Sequence, residues 1–573
     1  MIKCYSVEEP MDYKNFDLLN PTETHKMLRD SLKDFVQKEV EPQAHEFDKK
    51  ENFNLSAEAV QYSLNHHLER KSVATDKEIL ATAIKSSLGE TSYYRVKEAF
   101  NNDASVIKVK ENNQTFITTH EALQEENNLI AKAYAMKGNF KPINDIYIPK
   151  DEKLNDEQVN AITHALSSSD GITIIAGKAG TGKTTLMKEV QNGIYASGKK
   201  FYAFAPSAEA SRMVQRREGF ENANTVASLL QNKASQTELK NSIIWVDEAG
   251  MLSNKDMNKL LDIAQEQNAR LILTGDTKQH NSVERGDALR ILQTEAGITS
   301  VQVSKIQRQK NRQYKEAVKY LSASDVEKGF KKLEKIGAIH EIENGQDRIE
   351  QIANDYFTSS FTKGKKTTPD AEVLVVSPTH AEGEMVTERI REKLKKENRI
   401  SSDERQFQVF KNLQLTAAEK EKTGNYTSGR WLVFHQNCKG FKAGSKYQVV
   451  QAKDKGIIEL QDVKGKISSI SIDKAANYNL FEIKNLTVSK GDKIRITGNG
   501  KSKEGRHLFN GNMYKIEDFD PHGNMRLSNG SMLPWNYGHF TSGYVVTSHA
   551  SQGKTVDKVI ISQSSLSFKA SSA

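Results

Sequence analysis

The segment Gly177–Thr184 constrains the fold of this chain more than any other part of its sequence. It reads Gly-Lys-Ala-Gly-Thr-Gly-Lys-Thr and fits the pattern G-x-x-x-x-G-K-T. It lies between an apolar run, Ile172–Ala176, and a stretch with helical periodicity. Glycines let the backbone wrap a phosphate with its N–H groups turned inward, and the start of the next helix adds a positive dipole end. The segment therefore predicts a strand, a phosphate-binding loop and a helix in succession.

The residues of this loop are the predicted nucleotide contacts. Lys183 can reach the β- and γ-phosphates, and the Thr184 hydroxyl can bind Mg²⁺. The full predicted set in the loop is Gly177, Ala179, Gly180, Thr181, Gly182, Lys183, Thr184 and Thr185. A nucleotide with Mg²⁺ is therefore the predicted ligand.

The region from Asp151 to about Gln309 alternates short apolar runs with amphipathic stretches. The runs are Ile172–Ala176, Lys200–Ala205, Ser242–Val246 and Arg270–Leu273. Such alternation is typical of a parallel sheet with helices on both faces. The fold class predicted for this region is α/β.

Carboxylates follow the third apolar run. Asp247 can hold the hydration shell of Mg²⁺, and Glu248 can orient and deprotonate the attacking water. Taken alone, these two residues would be ordinary acidic loop residues. Together with the phosphate loop they predict a catalytic pair, with Asp247 and Thr184 on the metal.

Three further polar residues are candidates for the same site. Gln279 follows the next strand and could sense the γ-phosphate, although a simple Gly-Asp turn would also explain that segment. Gln158 follows Asn155 and Asp156, one or the other of which is predicted to cap the helix, and it could hydrogen-bond an adenine edge or be no more than part of that cap. Arg308 could stabilise charge on the transferring phosphoryl group, or be a surface arginine.

The order of these residues resembles that of superfamily 1 helicases of the RecD-like branch. The segment Gly543–Thr555, here called the late segment, matches a late motif of that branch in its second motor domain, where it links the nucleotide site to DNA. Segments at 205–207 and 224–228 resemble the first-domain DNA-contact motifs. The resemblance implies ATP and Mg²⁺ as cofactors and single-stranded DNA as partner. The DNA contacts that it implies are Pro206, Ser207, Thr225, Ser548, His549 and Gln552.

Two N-terminal segments, 64–73 and 116–121, narrow the resemblance to conjugative relaxase-helicases of the TraA/TraI type. That family implies two RecA-like domains with small SH3-like β-barrel insertions, and a setting among other conjugative DNA-processing proteins. The implied domains are 1–150, a helical region with a β-hairpin; 151–310, the first RecA-like domain; 311–424, the start of the second; 425–540, the β-rich insertions; and 541–573, a return to the second domain.

Local patterns outside the first α/β region give further predicted elements. Helices are predicted over 24–38, 57–68, 76–88 and 120–136, a hairpin over 105–118 around Asn112-Asn113, a strand over 372–376, and an all-β pattern over 425–539. Gly543 to Ile561 is predicted to return to the α/β pattern.

The sequence departs from the family at two places. No His-x-His metal pattern occurs among the 14 histidines, so nicking of DNA is not predicted. No arginine follows Arg526, whereas the family carries a late arginine that contacts the γ-phosphate. We therefore expect a chain truncated at both ends relative to the family. The alternative left open is a remnant that binds ATP and DNA without productive unwinding.

Composition excludes several other classes. The formal net charge of +8 over 573 residues is too small to identify an anionic partner by itself. Cys4 and Cys438 are too few for a disulfide framework, which favours a reducing, cytoplasmic setting. No apolar run reaches the roughly 18–20 residues that span a bilayer, so no membrane insertion is predicted. A P-loop kinase or GTPase would leave Gln158, Gln279, Arg308 and the late segment unexplained.

Overall fold

The computed structural model divides the chain into two compact units. It describes residues 53–177, 181–208, 210–211, 215–216, 218–277, 282–305, 311–361, 371–552, 554 and 556–564. Unit 1 comprises the described residues up to Leu68 together with Val73–Thr119. Unit 2 comprises Glu69–Ser72 and the described residues from His120 onward. The helix predicted over 24–38 lies outside the described residues.

Unit 1 combines three helices with a small antiparallel sheet. Its elements are α1 Phe53–Leu68, β1 Ala74–Thr75, α2 Asp76–Ser86, α3 Tyr93–Asn102, β2 Val106–Glu111 and β3 Gln114–Thr119. The two predicted helices and the hairpin are confirmed, and the sequence patterns had not indicated α3. Asn112 and Asn113 both have positive φ, 47° and 62°. Two such residues form the type I′ turn whose twist matches a two-residue hairpin.

Periodicity explains how unit 1 closes its core. α1 packs against α2 and α3 through residues at helical spacing, including Val60, Leu64 and Leu68. The short strand β1 pairs with β3, which places Ile117 in the same core. A capping box fixes the start of α2, because Thr75 accepts from the Glu78 amide and Glu78 accepts from the Thr75 amide.

Unit 2 begins with a helix that belongs to its first sheet. α4 His120–Ala135 buries Leu129 and Ala133 in the core of that sheet. The predicted N-terminal region, 1–150, included this helix, whereas its contacts group it with the first parallel sheet.

A six-stranded parallel sheet forms the first part of unit 2, in the order β6-β5-β7-β8-β4-β9. Its strands are β4 Ile172–Gly177, β5 Phe201–Ala205, β6 Asn224–Thr225, β7 Ile243–Val246, β8 Arg270–Gly275 and β9 Ser300–Val303. Its helices are α5 Asp156–Ser167, α6 Lys183–Ala196, α7 Val226–Gln231, α8 Lys233–Thr237, α9 Asn254–Glu266 and α10 Ala288–Thr294. The four predicted strands and the parallel arrangement are confirmed, and β6 and β9 are additions.

Both faces of this sheet are buried, as its continuous apolar runs require. Successive residues point to opposite faces, so Ile174 lies in one core and Ile175 in the other. In β7, Trp245 and Val246 divide between the two cores in the same way.

A second, smaller parallel sheet has the order β24-β10-β25. Its strands are β10 Val373–Val376, β24 Val545–Val546 and β25 Lys558–Ile561. The helices around it in the chain are α11 Arg312–Ser322, α12 Val326–Lys335, α13 Gly345–Ser360, α14 His380–Lys396 and α16 Ser548–Ser551. The predicted strand at 372–376 and the predicted return to an α/β pattern after Gly543 are both confirmed.

An antiparallel region separates β10 from β24 in the chain. One sheet has the order β11-β16-β12-β13-β14-β15 and another the order β22-β21-β20-β17-β23, with β18 and β19 as a separate pair. The strands are β11 Glu404–Asn412, β12 Trp431–Phe434, β13 Lys446–Lys453, β14 Ile457–Asp462, β15 Ile467–Ser471, β16 Tyr478–Ser489, β17 Lys493–Ile496, β18 Gly500–Lys501, β19 His507–Leu508, β20 Met513–Phe519, β21 Met525–Leu527, β22 Met532–Leu533 and β23 Phe540–Ser542, with a short helix α15 Ala417–Lys420. The all-β pattern is confirmed but begins at Glu404, ahead of the predicted boundary at residue 425. The SH3-like form of these sheets stays a prediction.

Within the described residues, no helix combines the length and apolarity needed to cross a bilayer.

Candidate active site

The carboxyl edge of the first parallel sheet gathers the predicted catalytic residues. Because the strands run parallel, the residues that follow them meet at one edge. The phosphate loop follows β4, Asp247 follows β7, Asp276 follows β8 and Pro206 follows β5. The sequence alone predicted this convergence for the phosphate loop, for Asp247 and, after β8, for Gln279, which lies outside the described residues.

Glycines shape the two ends of the phosphate loop. A Cβ on Gly177 would lie 3.0 Å from Cδ of Lys183, so the lysine side chain folds back over the end of β4. Gly182 has φ of 80° and directly precedes α6, where a left-handed backbone suits glycine. The side chain of Lys183 thus points back toward β4, the strand that precedes the loop.

Lys183 lies close to the carboxylate that the sequence paired with it. Its Nζ is 3.9 Å from Oδ1 of Asp247. The Thr274 hydroxyl, on β8, donates to the same Oδ1 at 2.8 Å, and the Asp247 amide donates to the Phe204 carbonyl at 2.9 Å. Asp247 is therefore held from the two strands that flank β7.

Thr274 is a positioning residue that the sequence analysis did not identify. It is fully buried, and its hydroxyl also lies 3.3 Å from the Val246 carbonyl. A buried hydroxyl in an otherwise apolar strand needs a hydrogen-bond partner. This requirement is the sequence signal that could have pointed to Thr274. Which partner it takes depends on the neighbouring strand, which only the fold reveals.

Glu248 has a constrained backbone next to Asp247. Its φ is 54°, an uncommon conformation for glutamate, and its amide donates to Asp247 Oδ1 at 2.9 Å. Gly275 at the end of β8 allows the turn after Glu248 to approach, since a Cβ there would lie 3.0 Å from the Gly250 nitrogen. The side chain of Glu248 is therefore set apart from that of Asp247 by a fixed turn.

Gln158 lies against the phosphate loop with its amide already hydrogen-bonded. Its Oε1 accepts from the Asn155 amide at 3.0 Å, and its Nε2 donates to the carbonyls of Thr181 and Gly182 at 3.2 and 3.4 Å. Asn155 is the helix cap that the sequence predicted. The structure thus gives Gln158 a supporting contact to the loop. An adenine contact stays a prediction, and it would require the Gln158 amide to replace these hydrogen bonds with bonds to the base.

Glu157, one residue earlier, holds the segment that leads to Arg308. Its carboxylate accepts from the Ser304 amide at 2.6 Å and from the Lys305 amide at 3.0 Å. Burial alone would raise the pKa of Glu157. These hydrogen bonds, together with one from the Ser304 hydroxyl, keep that pKa below its usual value. No local sequence pattern predicts this contact, because it joins residues far apart in the chain.

Four predicted site residues lie outside the described residues. They are Ala179, Gly180, Gln279 and Arg308. Their roles stay predictions.

The predicted DNA contacts divide between the two parallel sheets. Pro206 and Ser207 follow β5, and Thr225 is in β6, directly beside Ala205 in register. Ser207 Oγ accepts from the Ala210 amide at 3.1 Å, and Thr225 Oγ1 accepts from the Ser228 amide at 3.1 Å. These hydroxyls therefore shape the local turns at the carboxyl edge.

The late segment supplies the second group, at the carboxyl end of β24. Ser548 and His549 are exposed in α16, and Thr547 caps that helix. The Gln552 Oε1 is buried and has no hydrogen-bond partner among the described residues. A buried acceptor of that kind is available to a ligand donor.

A buried carboxylate, that of Asp492, holds Tyr544 near the start of the late segment. Asp492 is 1% exposed and accepts from Arg391 Nη2 at 2.9 Å and from the Tyr544 hydroxyl at 2.9 Å. Arg391 is on α14, and Tyr544 directly precedes β24. Burial and the charge of Asp492 hold the pKa of Tyr544 well above its usual value. Asp492 therefore joins the antiparallel region to the second parallel sheet, a contact with no local sequence signal.

The donor set at the carboxyl edge of the first sheet fits Mg²⁺. A hydroxyl from Thr184 and a carboxylate from Asp247 are oxygen ligands, which Mg²⁺ prefers. Among the described residues, no group of three or more His, Cys, Asp and Glu side chains is placed to hold a metal ion.

Comparison with known families yields two matches. The model of the AAA domain matches residues 153–344, which include the phosphate loop and all six strands of the first sheet. The model of the acyl-CoA dehydrogenase N-terminal domain matches residues 22–64, of which 22–52 lie outside the described residues.

Among characterised proteins, the chain is similar to conjugation proteins. It is 27% identical over 198 residues to the probable conjugal transfer protein TraA of Sinorhizobium fredii, covering 34% of this chain and 18% of that protein. It is 23% identical over 460 residues to the multifunctional conjugation protein TraI of Escherichia coli K12, covering 70% of this chain and 25% of that protein. The matched part is thus a quarter or less of each relative.

Among solved structures, the chain is similar to the Pif1 helicase from Bacteroides in complex with ADP-AlF3 and ssDNA. The sequence identity is 16%, the match covers 74% of this chain and 90% of that one, and the TM-score is 0.33. At this score the similarity does not establish a shared fold.

Proposed function

We propose that this TraI-like superfamily 1 helicase hydrolyses ATP to move along single-stranded DNA during conjugative transfer. The observation that carries the proposal is the pairing of Lys183 Nζ with Asp247 Oδ1, 3.9 Å apart, at the carboxyl edge of a parallel sheet. That edge is where open α/β sheets bind their ligands. The similarity to TraA and TraI supports the conjugative setting.

In this proposal the phosphate loop binds the ATP phosphates through its backbone N–H groups and the start of α6. Lys183 moves from Asp247 to the β- and γ-phosphates, so the ion pair seen here marks the position from which it reaches them. Thr184 and Asp247 would hold Mg²⁺, which when bound neutralises charge on the β- and γ-phosphates. Thr274 keeps Asp247 oriented for that role.

Glu248 is the proposed general base. Its backbone is fixed by the turn beside Asp247, so its carboxylate is separated from the metal carboxylate and can take a proton from water. By resemblance, Gln279 senses the γ-phosphate and Arg308 stabilises the charge that develops on it. Glu157 holds the segment that leads to Arg308.

Movement along DNA requires that hydrolysis change the grip on the strand. The proposed contacts come from Pro206, Ser207 and Thr225 on one sheet, and from the late segment on the other. ATP-driven closing and reopening of the cleft between two such domains would move the strand in steps. Binding through phosphates and stacked bases would tolerate any sequence and weaken with salt.

Steady-state ATP hydrolysis, with and without single-stranded DNA, tests the proposal. We expect DNA to stimulate the rate and Lys183→Ala to abolish it. Lys188→Ala is the matched control, because Lys188 lies on the same helix but is exposed and pairs with Glu218. A rate that survives Lys183→Ala would show that the phosphate loop is not the catalytic site. ATP and DNA binding without turnover would show a binding protein instead of a motor.

A further inference from the structure

The order of elements in unit 1 is that of a helix-turn-helix followed by a β-wing. The chain runs α1, β1, α2, α3, β2, β3, and the sheet order is β1-β3-β2. The first strand, between α1 and α2, therefore pairs with the second strand of the hairpin. In helix-turn-helix proteins the second helix of the pair enters the major groove of DNA. In unit 1 the corresponding helix is α3.

The turn between α2 and α3 and its support are well defined. Gly89 has φ of 82° in this turn, and Ser92 caps α3 by accepting from the Arg95 amide. The Ser63 hydroxyl donates to the Ile79 carbonyl at 2.6 Å, which ties α1 to α2. Gln61 Nε2 donates to Asp103 at 2.5 Å, which ties α1 to the end of α3. α1 is thus hydrogen-bonded both to α2 and to the end of α3.

α3 buries one face and presents the other. Val96, Ala99 and Phe100 are buried in the core of unit 1. Tyr94 and Lys97, which lie three residues apart, are exposed, and Tyr94 is 57% exposed. Spacings of three and four residues place Asn101, also exposed, on the same face. A tyrosine, a lysine and an amide on one face can contact phosphates and base edges.

The hairpin extends the same surface. Lys108 on β2 donates to the Phe100 carbonyl and to Asn101 Oδ1, both at 3.1 Å, so the wing is attached to α3. Lys110 and the turn residues Asn112 and Asn113 are exposed. Four of the six Lys and Arg residues in the described part of unit 1 lie on α3 and β2. Against these four cations α3 and β2 carry two acidic residues, Glu98 and Glu111, whereas the rest of the described part of unit 1 carries two cations and five acidic residues. Net positive charge within unit 1 therefore lies on this helix and wing.

We propose that unit 1 binds double-stranded DNA, with α3 in the major groove and the β2–β3 turn against the adjacent backbone. This goes beyond the proposed motor, which acts on single strands. The complementary ligand is a duplex because the surface combines one exposed helix with a projecting wing, and its cationic, amide and aromatic side chains outnumber the two acidic ones, Glu98, which pairs with Arg95, and Glu111. The alternative ligand for this surface is a protein partner, and the test must distinguish it from duplex DNA.

The test measures binding of the full chain to a blunt-ended duplex, without nucleotide, by fluorescence anisotropy over a range of salt concentrations. Removing one phosphate contact lowers the slope of log K against log salt by about 0.9. We expect Lys97→Ala/Lys110→Ala to reduce that slope by about 2 and to weaken binding by about tenfold at a fixed salt concentration. Lys85→Ala, an exposed lysine at the end of α2, is the matched control and leaves both values unchanged.

Three results would overturn the proposal. The first is that the wild-type chain fails to bind the blunt duplex. The second is that the double variant keeps the wild-type slope and affinity. The third is that Lys85→Ala weakens binding as much as the double variant does. A surface that serves a protein partner would give one of the first two. Both variants change exposed side chains only, so circular dichroism should show the wild-type fold.

Discussion

The candidate nucleotide site of unit 2 and the helix-and-wing surface of unit 1 are both suited to phosphates, but they are built in opposite ways. In unit 2 the groups lie at the edge of a sheet buried on both faces, and the side chains position one another: Thr274 holds Asp247, which lies beside Lys183. In unit 1 the cationic side chains Lys97, Lys108 and Lys110 are exposed and are spread over the helix α3 and the strand β2.

This difference sets the size and character of the effects that substitutions should have. A preorganised site with few ligands depends strongly on each member, because its groups act together on one reacting centre. An exposed surface gains a little from each cation, and its contacts are screened by salt. Substitutions in unit 2 should therefore be severe and largely insensitive to salt, whereas those in unit 1 should be mild and salt-dependent.

The largest expected effect is that of Glu248→Gln. Loss of a general base lowers the rate of a proton-transfer step by about 10²–10⁴-fold, so DNA-stimulated ATP hydrolysis should fall by that factor while ATP still binds. Glu266→Gln, an exposed residue at the end of α9, is the control and should hydrolyse ATP at the wild-type rate. A variant at Glu248 with nearly full activity would assign the base to another residue.

Acid should destabilise unit 2 through His539. Burial and the nearby Lys446 lower the pKa of His539 from 6.5 to about 4. As pH falls through this window, the unfolded chain binds a proton at His539 that the folded chain does not. Unit 2 should therefore lose about 3 kcal/mol of stability between the two pKa values.

Tryptophan emission measures this loss in unit 2 alone, since all three tryptophans lie there. The ring of His539 stacks on Phe410 at 4.9 Å, so His539→Phe should keep the packing and remove much of the change between pH 6.5 and about 4. His522→Gln, at an exposed histidine, should behave as wild type. Identical acid transitions in wild type and His539→Phe would contradict the assignment.

Thr274→Val should have an intermediate effect. A hydrogen bond to a charged group contributes about 1.5–3 kcal/mol, so its loss should lower ATP hydrolysis by about tenfold or more and raise the Mg²⁺ concentration needed for half-maximal rate. Thr274→Ser keeps the hydroxyl and should restore both values. Thr173→Val, at a buried threonine on β4, should leave the Mg²⁺ dependence unchanged.

The smallest expected effect is at the tip of the wing. Valine strongly disfavours the positive φ of 62° found at Asn113, so Asn113→Val should cost about 1–2 kcal/mol of local strain. We expect it to weaken blunt-duplex binding by only a few-fold, because it displaces the turn without removing a cation. Asn113→Gly accepts the same φ and should bind as wild type; equal weakening by both variants would point to an amide contact instead of turn geometry.

The sequence predicted unit 2 better than unit 1, for a physical reason. The strands β4, β5, β7 and β8 are continuous apolar runs because both faces of their sheet are buried, so the predicted ranges lie within two residues of the observed ones. β11 was not predicted although it alternates, since it follows a highly charged helix. In unit 1, β1 has only two residues and pairs with a strand far along the chain. No local pattern reveals such pairing, so the helix-turn-helix order was missed.

The site shows the same limit. Motif spacing identified Lys183 and Asp247, which the structure brings within 3.9 Å. It did not identify Thr274, Glu157 or Asp492, because each acts across strands or domains that are distant in sequence. Gln158 was found by its motif, but its present hydrogen bonds support the phosphate loop.

The most direct test of the central claim is whether the chain moves along single-stranded DNA when it hydrolyses ATP. Displacement of streptavidin from a biotinylated single strand measures this movement without requiring strand separation. We expect displacement with ATP from one end of the strand, none with a non-hydrolysable analogue, and none with Lys183→Ala. DNA-stimulated hydrolysis by the wild type with no displacement from either end would contradict the account, because the chain would then hold DNA and ATP without being a motor.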